Sequence, residues 1–253
     1  GHRSAMHRLT RRAFSVGTGC LVLGGARTAR AADGPKILVV GDSMIAGGFG
    51  VFLERALEKE YALPVLRKGK SSSGLARPDF HDWPEAAAAI VEGWKPAASV
   101  VMFGGNDVQG LYMGKGEWIR WNDDGWDEEY ARRVDAFCEI IAPAGERIFW
   151  VGMPVMRPAK FHARVQRVNV IYRARMAARP GALFVDAWDV LADDNGAYAD
   201  KIAIGTKADG TPGKKVRVRA GDGIHLSPAG ANVLRDHVLA VLEKELAITK
   251  TAT

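Results

Sequence analysis

The apolar positions of this chain fall into short runs that alternate with longer amphipathic stretches. Lys36-Ile37-Leu38-Val39-Val40, stopped by Gly41, is continuously apolar over strand length and reads as a strand buried on both faces. Over residues 49–60 the spacing changes: Val51, Phe52, Leu57 and Tyr61 stand against Glu54, Arg55, Glu58 and Lys59, a helical period. The alternation continues along the chain. Residues 64–66, 99–103, 147–151 and 182–186 read as further strands, and 83–94, 127–141, 159–179 and 228–246 as helices. Pro84 and Pro228 stand where a helix loses nothing by lacking an N–H, and Ser227 is placed to cap the last helix. Alternating strands and helices predict a parallel sheet of five strands covered on both faces. Without an internal repeat or a Pro/Ser-rich linker, residues 32–253 are expected to form one domain. Two segments stand outside the alternation. Residues 109–126 hold Trp118, Trp121 and Trp126 among glycines and charges, and 202–219 read as a hairpin turning at Asp209-Gly210. Both are expected as loops inserted at one end of the sheet.

Composition changes this picture only at the N-terminus. At 47% hydrophobic and 25% charged, the 253 residues are ordinary globular material. The net charge of +6 points to an acidic partner until its location is seen. Residues 1–31 carry six arginines and no carboxylate; after Ala31, basic and acidic residues balance at 29 each. Bulk charge therefore makes no case for nucleic acid. Gly1–Ala5 reads as a cloning remnant ahead of Met6. The basic stretch 7–14, the apolar glycine-rich stretch 15–26 and Ala29-Arg30-Ala31 together read as an export signal, with Ala32 the expected first mature residue. Thr10-Arg11-Arg12-Ala13-Phe14 resembles a twin-arginine motif, so a periplasmic or secreted location is expected. The apolar stretch is too short to span a bilayer, and no stable membrane insertion is expected after signal removal. Two cysteines exclude a disulfide-rich scaffold; Cys20 falls in the leader, and Cys138, in a helical apolar pattern, is expected as a small buried residue. No His/Asp/Glu cluster has metal spacing, so neither metal nor cofactor is expected.

Four short pieces carry candidate chemistry, and each alone has an ordinary structural reading. Gly41-Asp42-Ser43 follows the first strand and precedes the first helix, where ligands bind in open α/β sheets. Ser43 there is either a nucleophile beside helix N–H groups or merely a cap. Asp222-Gly223-Ile224-His225 supplies a base and an orienting carboxylate from one turn, or is a plain surface turn. Gly104-Gly105-Asn106-Asp107 follows the third strand; Asn106 is placed for an oxyanion hole, although the residues also suit a turn. Ser73-Gly74, after the second strand, offers an unobstructed N–H or a flexible loop glycine.

Taken in order, the four pieces resemble the blocks of the GDSL-type, or SGNH, hydrolase family, whose letters correspond here to Ser43, Gly74, Asn106 and His225. The resemblance runs from Ile37 to Leu246. It departs at Met44, where the family carries Leu, and is loosest at the glycine block, where three serines precede Gly74. Residues 73–80 look like a periplasmic bacterial branch of the family. The resemblance implies a three-layer α/β/α, flavodoxin-like fold. It also implies acyl transfer through an acyl-serine: Ser43 as nucleophile, His225 as base, Asp222 as its orienter, and Ser43 N–H, Gly74 N–H and the Asn106 side chain as the oxyanion hole.

Asp42, His81, Trp118, Trp121, Arg157 and Arg219 are the candidate substrate contacts. Each has a competing reading: the tryptophans clamp the inserted loop, Arg157 is a solvated loop charge, and Lys214, Lys215, Arg217 and Arg219 defend an edge strand. His81 and Trp83 are expected to line the same cleft, Arg217 and Arg219 to share a strand face, and His162 and His237 to lie on the surface. Three activities fit: an exported esterase acting on acylated carbohydrate or small esters, an O-acyltransferase with the same triad, and a non-catalytic glycan-binding protein.

Overall fold

The computed structural model describes residues 34–252. In chain order its elements begin β1 (Ile37–Gly41), α1 (Ser43–Ala46), α2 (Gly48–Lys59), β2 (Val65–Gly69), α3 (Trp83–Gly93) and β3 (Ala98–Met102). There follow β4 (Leu111–Gly114), β5 (Glu117–Ile119), α4 (Trp126–Ile141), β6 (Arg147–Val151), α5 (Ala159–Ala177) and β7 (Ala182–Val185). The chain ends with β8 (Lys201–Ala203), β9 (Lys215–Arg217) and α6 (Pro228–Leu246). Five strands form one parallel sheet in the order β2-β1-β3-β6-β7. α1, α2 and α6 cover one face and α3, α4 and α5 the other. This is the three-layer α/β/α fold that the strand–helix alternation and the family resemblance imply.

The burial explains the pattern. Every residue of β1 and β3 is buried, which is why both read as unbroken apolar runs. Edge strand β2 is only partly covered and carries Arg67 and Lys68. It runs to Gly69, three residues beyond the apolar stretch that announced it. Under α3 and α4 the core is aromatic: Phe103 meets Phe137 edge to face with centroids 5.4 Å apart, and Trp150 lies beside both. The Ser227 hydroxyl accepts from the Gly230 N–H at 3.1 Å with Pro228 behind it, so α6 starts where its cap predicts. The chain leaves β1 toward β2, then crosses back to β3 and on to the opposite edge. A crevice therefore opens at the carboxyl ends of β1 and β3.

The basic character of α5 is spent inside the molecule. Arg164 donates to Val108 O, Arg167 to Trp121 O and Asp127, Arg175 to Asp135 and, two residues past the end of the helix, Arg179 to Glu139 and Ala142 O. These bonds pin the inserted 109–126 segment and α4 to α5. The insertion itself contains a small antiparallel hairpin, β4–β5, which the sequence reading leaves as loop. Its strands are four and three residues long, too short to display alternation, and its turn Gly114-Lys115-Gly116 has positive φ throughout. The second insertion is the expected hairpin, with β8 and β9 paired antiparallel and Asp209-Gly210 at the tip. His162 and His237 are half-buried at the surface, each tied to the backbone: His162 Nδ1 bonds the Met156 N–H at 3.2 Å, and His237 Nε2 bonds Asp186 O at 2.8 Å.

Cys138 is fully buried on α4, and burial pushes its thiol up to about 12. Among the described residues no helix is long and apolar enough to cross a membrane. The export signal read over residues 7–31, with Cys20, lies outside the described residues.

Candidate active site

β1, β2 and β3 end side by side, Gly41 opposite Gly69 on one side and Met102 on the other. The loops leaving these three ends carry Ser43, Gly74 and Asn106. Ser43 opens α1, whose preceding residue Asp42 caps it by accepting from the Met44 N–H at 3.0 Å. The Ser43 hydroxyl is 3.0 Å from His225 Nε2. His225 Nδ1 is 2.6 Å from Asp222 Oδ2, and the other oxygen of Asp222 accepts from the N–H groups of Ile224 and His225 at 2.8 and 2.9 Å. Partial burial, the largest single influence on Asp222, pulls its carboxyl upward. The His225 ring and the two N–H donors together outweigh it and hold the group down to about 2. An ionised Asp222 fixes the proton of His225 on Nδ1, leaving Nε2 free to accept from Ser43.

The donors on the other two loops are tied to each other. One N–H of the Asn106 amide donates to Ser73 O at 3.0 Å, which leaves its second N–H for the site. Among the described residues neither the Ser43 nor the Gly74 backbone N–H has a hydrogen-bond partner. Two free N–H groups and an amide on adjacent loops are what an oxyanion hole requires.

Gly74 has a specific reason to be glycine. A Cβ there would sit 2.1 Å from Asp107 Oδ1. Asp107 is fully buried and grips the loop beyond Gly74: it accepts from Leu75 N–H at 3.0 Å and Ala76 N–H at 2.9 Å. Tyr130 also donates to it, and the Tyr130 and Tyr172 hydroxyls are 2.6 Å apart. On the carbonyl side of the same two residues Arg133 donates to Leu75 O at 2.8 Å and Ala76 O at 3.2 Å, with Glu129 pairing its charge at 3.0 Å. Asp107 and Arg133 thus hold both the N–H and the C=O groups of residues 75 and 76. Sequence reasoning gave neither a role. Asp107 was visible only as a member of its block, and Arg133 only as a polar position on α4.

The candidate substrate contacts divide. Trp118 is 42% exposed, with its ring against Tyr112 at 5.1 Å and the Arg77 guanidinium over it at 4.9 Å. His81 packs edge-on against Trp83 at 4.7 Å. Burial first, and the Lys70 charge second, lower its pKa. Gly74 and His81, with Tyr112, Met113 and Arg133, line a cavity of about 600 Å³ that shares Gly74 with the candidate site.

The other contacts are relocated by the structure. Trp83 is buried, its indole N–H donating to Ser73 Oγ at 2.8 Å, so it shapes the glycine loop from behind. Trp121 has the Arg164 and Arg167 guanidinium groups over its ring at 5.0 and 4.2 Å, and Trp126 is fully buried, so these two clamp the insertion. Asp42 is 2% exposed. Burial, and secondarily the charge of Asp107, raise its pKa to about 7. Arg219 is fully buried instead of sharing the exposed face of Arg217, because it lies past the end of β9 where the chain turns inward. It donates to Val155 O and Ile224 O beneath the His225 turn, and burial lowers its pKa to about 10. Arg157 braces the same turn from outside, donating to Gly221 O at 2.7 Å. Gly223, at φ +70°, fits only because it has no Cβ; one would lie 2.6 Å from Arg157 Cβ. Among the described residues no three His, Cys, Asp or Glu side chains are grouped to hold a metal.

Residues 36–241 match a family model described as "Protein of unknown function (DUF459)". No curated protein matches the chain in sequence. Solved structures share the fold at low identity. LAE5, an alpha/beta hydrolase enzyme from the metagenome of Lake Arreo, Spain, is 21% identical with a TM-score of 0.57, over 83% of this chain and 95% of that one. TesA is 19% identical with a TM-score of 0.55, over 83% and 99%. A mutant of Axe2, an acetyl-xylooligosaccharide esterase from Geobacillus stearothermophilus, is 16% identical with a TM-score of 0.58, over 88% and 99%.

Proposed function

We propose that this chain, which belongs to the DUF459 family, is a serine esterase that removes acyl groups from carbohydrate or other small esters in the cell envelope. The observation that carries this reading is the unbroken hydrogen-bonded line from Ser43 through His225 to an ionised Asp222. In the first half-reaction the Ser43 oxygen attacks the ester carbonyl while His225 Nε2 takes the hydroxyl proton. The carbonyl oxygen becomes an oxyanion held by Ser43 N–H, Gly74 N–H and the free N–H of Asn106. As the intermediate collapses, the carbon–oxygen bond to the alcohol breaks, and His225 returns the proton to that alcohol. The acyl group is then an ester of Ser43. Water attacks it by the same route, His225 now accepting the proton of water and passing it back to Ser43. Asp222 stays ionised throughout and stabilises the imidazolium.

Axe2 gives this reading support by analogy. Its catalytic mutants replace a serine, an aspartate and a histidine, the last two separated by three positions as Asp222 and His225 are here. The leader read from the sequence supports placing the activity outside the inner membrane. O-acyl transfer is the second reading, favoured by one observation: the His225 and Asp222 side chains are 48% and 43% exposed, which gives a bulky sugar hydroxyl the same access as water.

The test is hydrolysis of a short-chain aryl ester series by wild type and Ser43→Ala. The expected result is turnover by wild type and a loss of at least about 10⁴-fold in kcat in the variant. Turnover unchanged in Ser43→Ala overturns the mechanism, and folded wild type without turnover or phosphonate labelling of Ser43 overturns the enzyme class. Product analysis with a donor ester and a glycan acceptor together separates hydrolysis from transfer.

A further inference from the structure

Residues 201–217, the β8–β9 hairpin with its tip, hold Lys201, Lys207, Lys214, Lys215 and Arg217 against a single acidic residue, Asp209. The remainder of the chain after Ala31 is therefore acidic by four charges, since the whole of it balances. All five cations are exposed. Among the described residues none of them makes an ion pair within 4.0 Å, the charge of Asp200 reaching Arg217 only at longer range, whereas eleven arginines elsewhere do. Asp209 is already committed to the tip, accepting from Thr211 N–H at 3.0 Å and from its hydroxyl at 2.6 Å.

The register makes this arrangement costly. Lys201 stands directly opposite Arg217, and Lys215 stands opposite Ala203 on the same face. Like charges directly across an antiparallel pair are destabilising. Protection of an edge strand needs charge but not charge of one sign, and a Lys–Glu pair would serve it without the repulsion. A hairpin built at this cost is matched by a polyanion, which neutralises the face when it docks.

The hairpin is also fastened to the catalytic turn. The Ser227 hydroxyl donates to Arg217 O at 2.7 Å, the Val218 N–H to Asp200 O at 2.9 Å, and the Ala220 N–H to His225 O at 2.8 Å. From Arg217 to the tip the chain extends at most about 25 Å, so a polymer lying along the hairpin passes within a few residues of Ser43's base. The character of the face selects among polyanions. Its only exposed large apolar side chain is Ile204, at 38%, which leaves no apolar stripe to enter a bilayer. It carries no aromatic ring on which bases stack.

We infer that the β8–β9 hairpin is a docking surface for an anionic polysaccharide, and that esters carried on such a polymer are the substrate class. The docking surface stands on the hairpin alone; the substrate class rests on the esterase reading.

Binding and turnover are tested separately. In the Ser43→Ala chain, affinity electrophoresis through polygalacturonate is compared with electrophoresis through neutral xylan. Retardation by polygalacturonate only is expected, weakened at least about tenfold by combined Lys201→Glu, Lys215→Glu and Arg217→Glu and by salt above roughly 0.3 M. The milder Lys214→Gln/Lys215→Gln pair, which leaves the cross-strand pair intact, is expected to give an intermediate loss and guards against a folding defect. In the active chain the triple reversal should raise KM for acetylated polygalacturonate at least about fivefold, leaving kcat, acetylated xylan and aryl acetates unchanged. Equal binding of both polymers, retardation that survives the triple reversal, or binding to anionic phospholipid vesicles in place of polygalacturonate overturns the docking surface. Retardation without turnover of any ester keeps the surface and overturns the esterase reading. Turnover with an unchanged KM ratio overturns the substrate class.

Discussion

Side chains at this site differ in whether their removal falls on kcat, on KM or on stability, which lets each be tested apart. Asn106 spends one N–H on Ser73 O; on the esterase reading the other serves the oxyanion, so Asn106→Ala should lower kcat by about 10²–10³, or 2.7–4 kcal/mol, with KM little changed. Steady-state kinetics on an aryl acetate checks the split; a change confined to KM would remove Asn106 from the hole. Gly74→Ala should lower kcat as well, because a Cβ 2.1 Å from Asp107 Oδ1 forces the donor loop to move. Asp42 makes a prediction of opposite character. Its pKa rises from 3.8 to about 7 on folding, so the folded chain holds this proton more tightly than the unfolded one. The associated stability is fully present below 3.8 and is lost as pH rises from there through about 7. Asp42→Asn, which keeps an oxygen for the Met44 N–H, should therefore gain stability relative to wild type across that window and no further above it. Thermal melts of the pair at intervals from pH 4 to pH 9 measure the difference; a flat difference would mean Asp42 is ionised throughout.

At the level of elements, the loop bearing Gly74 is held from outside by a helix, α4, that carries none of the proposed catalytic groups. Arg133 on α4 holds the carbonyls of Leu75 and Ala76 while Asp107 holds their N–H groups, so Arg133→Met should loosen the loop bearing Gly74. Hydrogen bonds from a charged donor contribute about 1.5–3 kcal/mol, which sets a loss of roughly 10–150-fold in kcat as the expected range. Faster amide exchange confined to residues 72–78 is the independent signature, and exchange unchanged there would assign Arg133 to the cavity wall alone. The same comparison shows what a sequence can convey. β1 and β3 were legible because burial on both faces leaves no polar position to obscure them, and α6 because Ser227-Pro228 states its start chemically. That Ser43, His225 and Asp222 meet was legible because one short motif stands at the end of β1 and the other puts both remaining side chains on a single turn. The roles of Arg133, Arg157 and Arg219 were not, because a guanidinium that grips a backbone carbonyl looks in sequence like any solvated charge. Arg219 is the sharpest case: its neighbour in the alternation, Arg217, is exposed, and only the inward turn after β9 separates them.

At the scale of the molecule, the five-stranded sheet and its helices carry the core, while the β8–β9 hairpin forms a separate two-stranded sheet joined at its base. Replacing residues 204–213 with a two-residue turn should therefore shift the melting midpoint by less than about 4 °C, the change that 1 kcal/mol produces in a domain of this size. Aryl ester kinetics should be unchanged. Differential scanning calorimetry checks the first point, and a larger drop would make the hairpin part of the core. Cys138 has a practical consequence at this scale. It is the one cysteine among the described residues, fully enclosed, with a thiol held protonated far above neutral pH. A maleimide dye offered to the folded protein finds no competitor between Gly34 and Ala252. With Cys20 replaced by serine, a cysteine placed at the hairpin tip or beside Trp118 can thus be labelled selectively without first engineering Cys138 away, and fluorescence can follow polymer docking in real time.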